Sequence, residues 1–380
     1  MIVSSVTYTN WRNIASAVVP LEGGINVLWG MNAQGKSNIL EGIYYFARGR
    51  SFRGAKDREL VRFGEPCASA AVVYRRDGYE NDTKLEAVLP LTGKKRLTRN
   101  GAPLSSPVEM MGSFRAVLFC PANLSLVSGG PLERRTFLDV ALSQLSGDYL
   151  TSLRRYSKLL TERNALLKFA ADGNAVRREE WEVYAVSLAE CGTRIAAYRS
   201  QYCTLLRDAV TRYFAGMTDG AEVPGLTYSS HVIEDSLPPL LTEPNGTLPA
   251  SSALAEKLCQ NLDREIAAGS TLWGIHKDDV VLSLNERESR LYASQGQQRS
   301  IALSMKLAEA EIARTIGGEY PVILLDDVFS ELDENRRQYL LDSLGTEERQ
   351  IIVTSCEPDV VPERQAGVSF RHIENGAVVG

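Results

Sequence analysis

Two short runs in this 380-residue chain have residue types suited to phosphoryl chemistry. The first, Gly30-Met31-Asn32-Ala33-Gln34-Gly35-Lys36-Ser37, meets the pattern G-x-x-x-x-G-K-[ST] at every fixed position. Such a loop wraps backbone N–H groups around phosphates, and the helix that follows adds a favourable dipole. Lys36 would reach the β- and γ-phosphates, and the Ser37 hydroxyl would sit on Mg²⁺. The second run ends in adjacent carboxylates, Asp326-Asp327. Asp326 would hold Mg²⁺ through water, and Asp327 would polarise an attacking water. Two solvated loop aspartates are the plain alternative. A third segment, Ser294-Gln295-Gly296-Gln297-Gln298, sets serine and glycine at a helix start, which forms an anion-binding nest.

These residues need particular elements behind them. Residues 25–29 are apolar and β-prone, and residues 38–46 have helical spacing, so the loop joins a strand to a helix as its motif requires. Residues 322–325 form a continuous apolar run, the pattern of a central parallel strand covered on both faces. Residues 350–355 read as a further strand ending in hydroxyls, and residues 300–312 as a helix. The first 120 residues alternate short β-prone runs (68–75, 84–89, 117–119) with turns, and Asn100-Gly101 marks a hairpin.

From Pro131 the chain is dense in helix formers. Trp181, Tyr184, Leu188, Cys191, Ile195, Tyr198, Tyr202 and Leu205 alternate spacings of three and four, a heptad seam. Leu150, Leu153, Tyr156, Leu159, Leu160, Leu166 and Leu167 mark a preceding helix, with a turn at Asp172-Gly173-Asn174. Two helices packed antiparallel as a short arm, or a plain helical subdomain, both fit. Residues 218–250 read as loops with a short strand.

Composition excludes several classes. A net charge of −5 argues against an unstructured basic binder and confines any nucleic-acid surface to a local patch. The six cysteines show no C-x-x-C spacing, so a zinc site or disulfide framework is not expected and a cytoplasmic setting fits. Residues 1–6 read as a strand rather than a signal peptide, and no apolar run approaches a membrane span.

The order of phosphate loop, long insertion, S-x-G-Q, apolar-Asp-Asp, Ser330-Glu331-Leu332-Asp333 and strand-Thr/Ser resembles the ABC-type ATPase head. Roughly 260 residues separate the loop from S-x-G-Q, intermediate between transporter ATPases and SMC proteins. Residues 10–13, 30–38, 40–43, 49–53, 119–121, 126–131, 134–139, 163–168 and 274–279 resemble the RecF family more specifically. The chain departs from that pattern at Trp11, Ala122, Asn123, Ile275, Lys277 and Ser37, and no glutamine can be assigned to the usual Q-loop.

The resemblance implies an α/β fold: an ABC-type head with a P-loop, RecA-like core and antiparallel β subdomain, plus an inserted helical lobe with a short antiparallel coiled-coil arm. Expected boundaries are 1–130 and 271–380 for the head and 131–270 for the lobe. It implies a slow ATPase using ATP and Mg²⁺, with Arg12, Asn13 and Asn38 joining residues 30–37 around the nucleotide. Ser294–Gln298 would act in trans, making an ATP-dependent homodimer, with residues 330–333 as its D-loop. Implied partners are duplex, gapped or junction DNA, and RecR, RecO and RecA. A transporter ATPase subunit or the head of an SMC-like nuclease complex is the alternative. Arg48, Arg50, Arg53, Lys94, Lys95, Arg96, Arg99, Arg134, Arg135, Arg154 and Arg155 are candidate DNA contacts or solvated charge; Arg50 and Arg53 fit the nucleotide site equally. His276 reads as a buried, hydrogen-bonded histidine.

Overall fold

The computed structural model describes residues 1–379 except 219, 221, 231–236, 245, 247, 249–251, 345–348, 359–360 and 362–366. It divides into two units: Met1–Leu124, Arg212–Ala221 and Arg299–Gly380 form one, and Ser125–Thr211 and Glu222–Gln298 the other.

The first unit carries two six-stranded sheets. One is antiparallel, in the order Ile14–Pro20, Ile2–Trp11, Cys67–Arg75, Thr83–Pro90, Arg96–Arg99, Ala102–Pro103. Its last hairpin turns at Asn100 and Gly101, both with positive φ (50° and 82°), the backbone that this dipeptide favours. The other sheet runs Ala377–Val379, Val368–Glu374, Gly24–Trp29, Gln350–Ser355, Val322–Asp326, Ala116–Phe119. All of its neighbours are parallel except the first pair. Every residue of Val322–Asp326 is buried, which explains the unbroken apolar run. Each such Ile, Leu or Val adds about 1.5–3 kcal/mol on burial.

Gln350 ties the two sheets together. Its Nε2 donates to Val3 O (2.7 Å) and Glu22 O (2.8 Å), while its Oε1 accepts from the Val3 N–H (2.8 Å). Helix Lys36–Arg48 lies against the antiparallel sheet. The Tyr8 hydroxyl donates to Ile39 O at 2.7 Å, and a Cβ at Gly42 would come within 2.2 Å of the Tyr8 ring. Only glycine lets the helix lie that close.

The second unit is mostly helical, with Pro131–Leu145, Gly147–Ala171, residues 178–211 of the helix Arg178–Met217, Ser252–Gln260 and Leu262–Ala268. A three-stranded sheet joins Pro224–Ser229, Asp279–Leu284 and Arg287–Glu288. The two long helices meet through Arg163 over Trp181, Arg155 with Glu190, and Tyr149 with Tyr198. Partners rise in number on one helix as they fall on the other, so the pair is antiparallel. Gly173, at φ 87°, sits in the connection between them. The seam residues Trp181, Leu188, Cys191, Ile195, Tyr198 and Tyr202 are buried, and Leu206 takes over from the half-buried Leu205. Arg163 and Glu265 form a fully buried ion pair at 2.6 Å, and Arg163 Nη1 also donates to the Thr271 hydroxyl at 2.8 Å.

Candidate active site

The parallel strands end along one sheet edge, where open α/β sheets bind ligands. Gly24–Trp29 delivers the glycine loop there, and Gly35 (φ 101°) caps helix Lys36–Arg48. The cradle has no room for side chains at its glycines. A Cβ at Gly30 would lie 2.4 Å from Ile373 O, and one at Gly35 would lie 3.0 Å from Asn13 Oδ1. Lys36 folds over the loop, donating to the carbonyls of Gly30 (2.5 Å) and Met31 (2.7 Å). From outside, the Gly376 N–H donates to Gln34 O at 2.8 Å, and Asn13 Nδ2 to Ala33 O at 3.1 Å. Asn38 in turn donates to Asn13 Oδ1 at 2.8 Å.

The loop opens onto a cavity of about 380 Å³, a size suited to a small ligand. Its lining includes Asn13, residues 32–38, Arg53, Asp327, Thr354, Ser355 and Cys356. Asn13, Asn38 and loop residues 32–37 are among these lining residues, whereas Gly30, Met31 and Arg12 are not. The Arg12 guanidinium instead grips the buried Glu41 with two hydrogen bonds. Arg53, one of the candidate DNA contacts, faces the cavity, donates to Asn38 Oδ1 (3.1 Å) and approaches Asp326 Oδ2 (3.8 Å).

Asp326 ends its strand buried, whereas Asp327 is exposed with φ 52°. Thr354, on the adjacent strand, contacts both: its hydroxyl donates to Asp326 Oδ1 (2.9 Å) and accepts from the Asp327 N–H (3.0 Å). The Ser330 hydroxyl donates to Asp327 O at 2.9 Å. Asp333 caps the helix Glu334–Leu344, and the Arg336 N–H bonded to it holds its carboxyl below the usual range. Glu331 and Leu332 complete that turn. The hard oxygen donors Ser37 and Asp326 suit Mg²⁺. Among the described residues no group of three or more His, Cys, Asp or Glu side chains gathers to hold a metal.

Ser294, a residue of the second unit, opens the helix Gln295–Gly317, whose residues 299–317 belong to the first unit. Its hydroxyl accepts from the Gln297 N–H (3.3 Å), and its own N–H donates to Gln297 Oε1 (2.6 Å), a reciprocal capping box. Gln298 Nε2 donates to Ala293 O at 3.1 Å. Ser294 and Gln295 are exposed, and Gly296 is half-buried.

The remaining basic candidates separate by burial. Arg50, Lys94, Arg96, Arg154 and Arg155 are exposed, whereas Arg48 and Arg99 are half-buried. Lys95 is paired with Asp57 (3.0 Å) and donates to Tyr45 Oη and Gly49 O (2.8 Å each). Arg134 is buried and bidentate to Asp279, and Arg135 donates to Asp278 O at 2.7 Å. Lys95 and Arg134 are therefore neutralised inside their own units. His276 is hydrogen-bonded as expected but half-buried rather than buried: Nε2 donates to Thr271 O (3.0 Å), and Nδ1 accepts from the Tyr156 hydroxyl (2.8 Å).

Sequence reading missed Thr354, Ser355 and Cys356 as cavity residues, although it placed a strand ending in hydroxyls there. No motif spacing reveals that this strand lies between the loop strand and the acidic strand. Strand Ala116–Phe119 ends level with Leu325, so Cys120–Asn123 is the segment beside Asp326, and it contains no glutamine.

The parallel sheet, the glycine loop and the carboxylates on one edge, with an antiparallel sheet behind, define an ABC-type, SMC-like ATPase head. Solved SMC heads share the fold, one at a TM-score of 0.56 and 13% identity over 100% of this chain and 96% of the other. The family model described as RecF/RecN/SMC N terminal domain matches residues 2–378. The DNA replication and repair protein RecF of Thermoanaerobacter sp. (strain X514) is 35% identical over 90% of this chain and 91% of its own. That of Bacillus velezensis is 34% identical over 100% of both. A solved structure of the recombination mediator protein RecF-ATP in the RecFOR pathway superposes with a TM-score of 0.89 at 32% identity, covering 99% of this chain and 96% of that one. The chain belongs to the RecF family.

Proposed function

We propose that this chain is an ATP-dependent DNA-binding switch of replication-linked repair, in which nucleotide controls pairing of two copies on DNA. The carrying observation is the shared sheet edge: loop residues 32–37, Lys36 included, and Asp327 line one cavity, and the buried Asp326 is tied through Thr354 to Asp327. A triphosphate suits this cradle because the loop leads into the N-terminus of the helix Lys36–Arg48, whose first N–H groups and dipole favour an anion. Lys36 would shift from its loop carbonyls to the β- and γ-phosphates. Ser37 and Asp326 would hold Mg²⁺, which when bound neutralises charge between those phosphates. Asp327 would orient and polarise the attacking water. Arg53 faces the same space and would add positive charge to it.

The helix start at Ser294–Gln298 would meet the γ-phosphate held by a second copy, with residues 330–333 bordering that contact. Hydrolysis would then release the pair. DNA would be the substrate surface of the paired state, and the exposed Arg50, Lys94, Arg154 and Arg155 are candidates for phosphate contacts. Support for DNA comes from the DNA replication and repair proteins named above, and support for RecO and RecR from the RecFOR pathway of the solved neighbour; RecA and a cytoplasmic setting rest on the sequence resemblance alone. Among the described residues no helix is long and apolar enough to cross a membrane. The whole-chain relative from Bacillus velezensis, at 34% identity, is a RecF protein, which favours this reading over a transporter or nuclease head.

The testing experiment is binding to gapped, duplex and single-stranded DNA, with and without ATP and Mg²⁺. ATP-dependent retention on duplex-containing DNA is expected. No binding to any DNA in either condition would overturn the reading.

A further inference from the structure

We infer that Thr354 is the positioning residue of this site, its hydroxyl fixing the Asp326 side chain and the Asp327 backbone relative to each other. The inference rests on the nucleotide-hydrolysing reading above. Strands Val322–Asp326 and Gln350–Ser355 run parallel with Asp326 opposite Thr354, so the threonine side chain reaches across at the point where the acidic strand ends. Thr354 is only 2% exposed, although it is among the residues that line the cavity.

The hydroxyl has one proton and two lone pairs. Asp326 Oδ1 at 2.9 Å is the better acceptor for that proton, since Leu325 O lies at 3.5 Å. A lone pair then takes the Asp327 N–H at 3.0 Å. Each contact does separate work. The first selects one rotamer of the carboxylate assigned to the metal. The second stabilises the left-handed backbone of Asp327 (φ 52°), which aims its carboxylate into the cavity. Asp327 O also accepts from Ser330, so the hydroxyl starts a connected path from the inner strand to the turn at 330–333.

The test compares Thr354→Val, which has the same shape without the hydroxyl, with Thr354→Ser, which keeps the hydroxyl and loses the methyl. Steady-state ATP hydrolysis, affinity for a fluorescent ATP analogue and thermal midpoint are measured for both, beside wild type and Asp327→Asn. For Thr354→Val, kcat is expected to fall ~10-fold or more with KM and analogue affinity within about threefold. Thr354→Ser is expected to restore kcat to within about threefold of wild type. The inference is overturned if Thr354→Val turns over like wild type while Asp327→Asn does not; the hydrolytic reading then survives. It is also overturned if Thr354→Ser is as impaired as Thr354→Val, with thermal midpoint and affinity falling alongside kcat, because packing would then be the cause. If wild type neither binds the analogue nor hydrolyses ATP, the hydrolytic reading and this inference fall together.

Discussion

Arg12 donates to both carboxylate oxygens of Glu41, at 2.9 and 2.8 Å, and Glu41 is fully buried on the helix that follows the glycine loop. The Ser51 hydroxyl is a further donor to Glu41. This pair locks the helix to the first hairpin of the antiparallel sheet. Removing the cation leaves a buried carboxylate without its main partner. Arg12→Ala is therefore expected to cost about 2–3 kcal/mol, the lower part of the range for broken buried pairs because Arg12 is partly exposed. Urea unfolding of Arg12→Ala, Glu41→Gln and the double variant measures this. The double variant should lose less than the sum of the singles.

Asp327→Asn keeps the shape of the side chain and removes its ability to polarise water. ATP binding should persist while hydrolysis falls about 100-fold or more. Two copies should then remain paired in ATP, detected as a stable dimer by sedimentation. Normal turnover by this variant would show that Asp327 has no such role.

Ser294→Arg places a bulky cation at the exposed start of the helix Gln295–Gly317 and removes a capping oxygen. Losing the cap should cost about 1 kcal/mol. The expected consequence is loss of ATP-dependent dimerisation with analogue binding retained. A dimer unchanged from wild type would exclude Ser294 from the contact between copies.

His276 gives a pH dependence with a definite sign. Burial pushes its imidazolium pKa down to about 4 from 6.5, because desolvation disfavours the charged form. Between these values the unfolded chain binds a proton that the folded chain does not. The stabilising contribution is full above pH 6.5 and is lost as pH falls towards 4, by at most about 1.4 kcal/mol per pH unit. His276→Gln can still donate to Thr271 O and accept from Tyr156. Urea midpoints at pH 7.5, 5.5 and 4.5 should fall less for the variant than for wild type.

DNA affinity should fall linearly on a log–log plot against salt, as phosphate contacts require. Replacing an exposed contact, Lys94 or Arg154, should reduce that slope by about one. Replacing Lys95 should leave it unchanged, because Lys95 is paired with Asp57.

The sequence conveyed what is encoded by near neighbours. The loop motif, the unbroken apolar run 322–325, the Asn100-Gly101 turn and most of the heptad seam all depend on residues a few positions apart. The contacts that refine the site depend instead on strand order. Thr354 reaches Asp326 because a strand 28 residues downstream pairs beside it, and Arg134 meets Asp279 across 145 residues. Lys95 looked like free surface charge because Tyr45, on the helix Lys36–Arg48, and Asp57, in the short turn Asp57–Leu60, lie about 40–50 residues before it. Arg53 likewise acquires its place only when the segment after the loop helix folds back towards Asp326.

Strand Gly24–Trp29 has its two neighbours at Gln350–Ser355 and Val368–Glu374. On a translating ribosome this early strand therefore waits for partners that are made more than 300 residues later, tens of seconds at ordinary elongation rates. During that interval its apolar faces and unpaired backbone are exposed to aggregation and to chaperones. On the proposed function, the nascent chain is also expected not to hold nucleotide while it waits. Ribosome-stalled chains ending before residue 350 should fail to be retained on immobilised ATP, whereas chains with residue 380 clear of the exit tunnel should be retained.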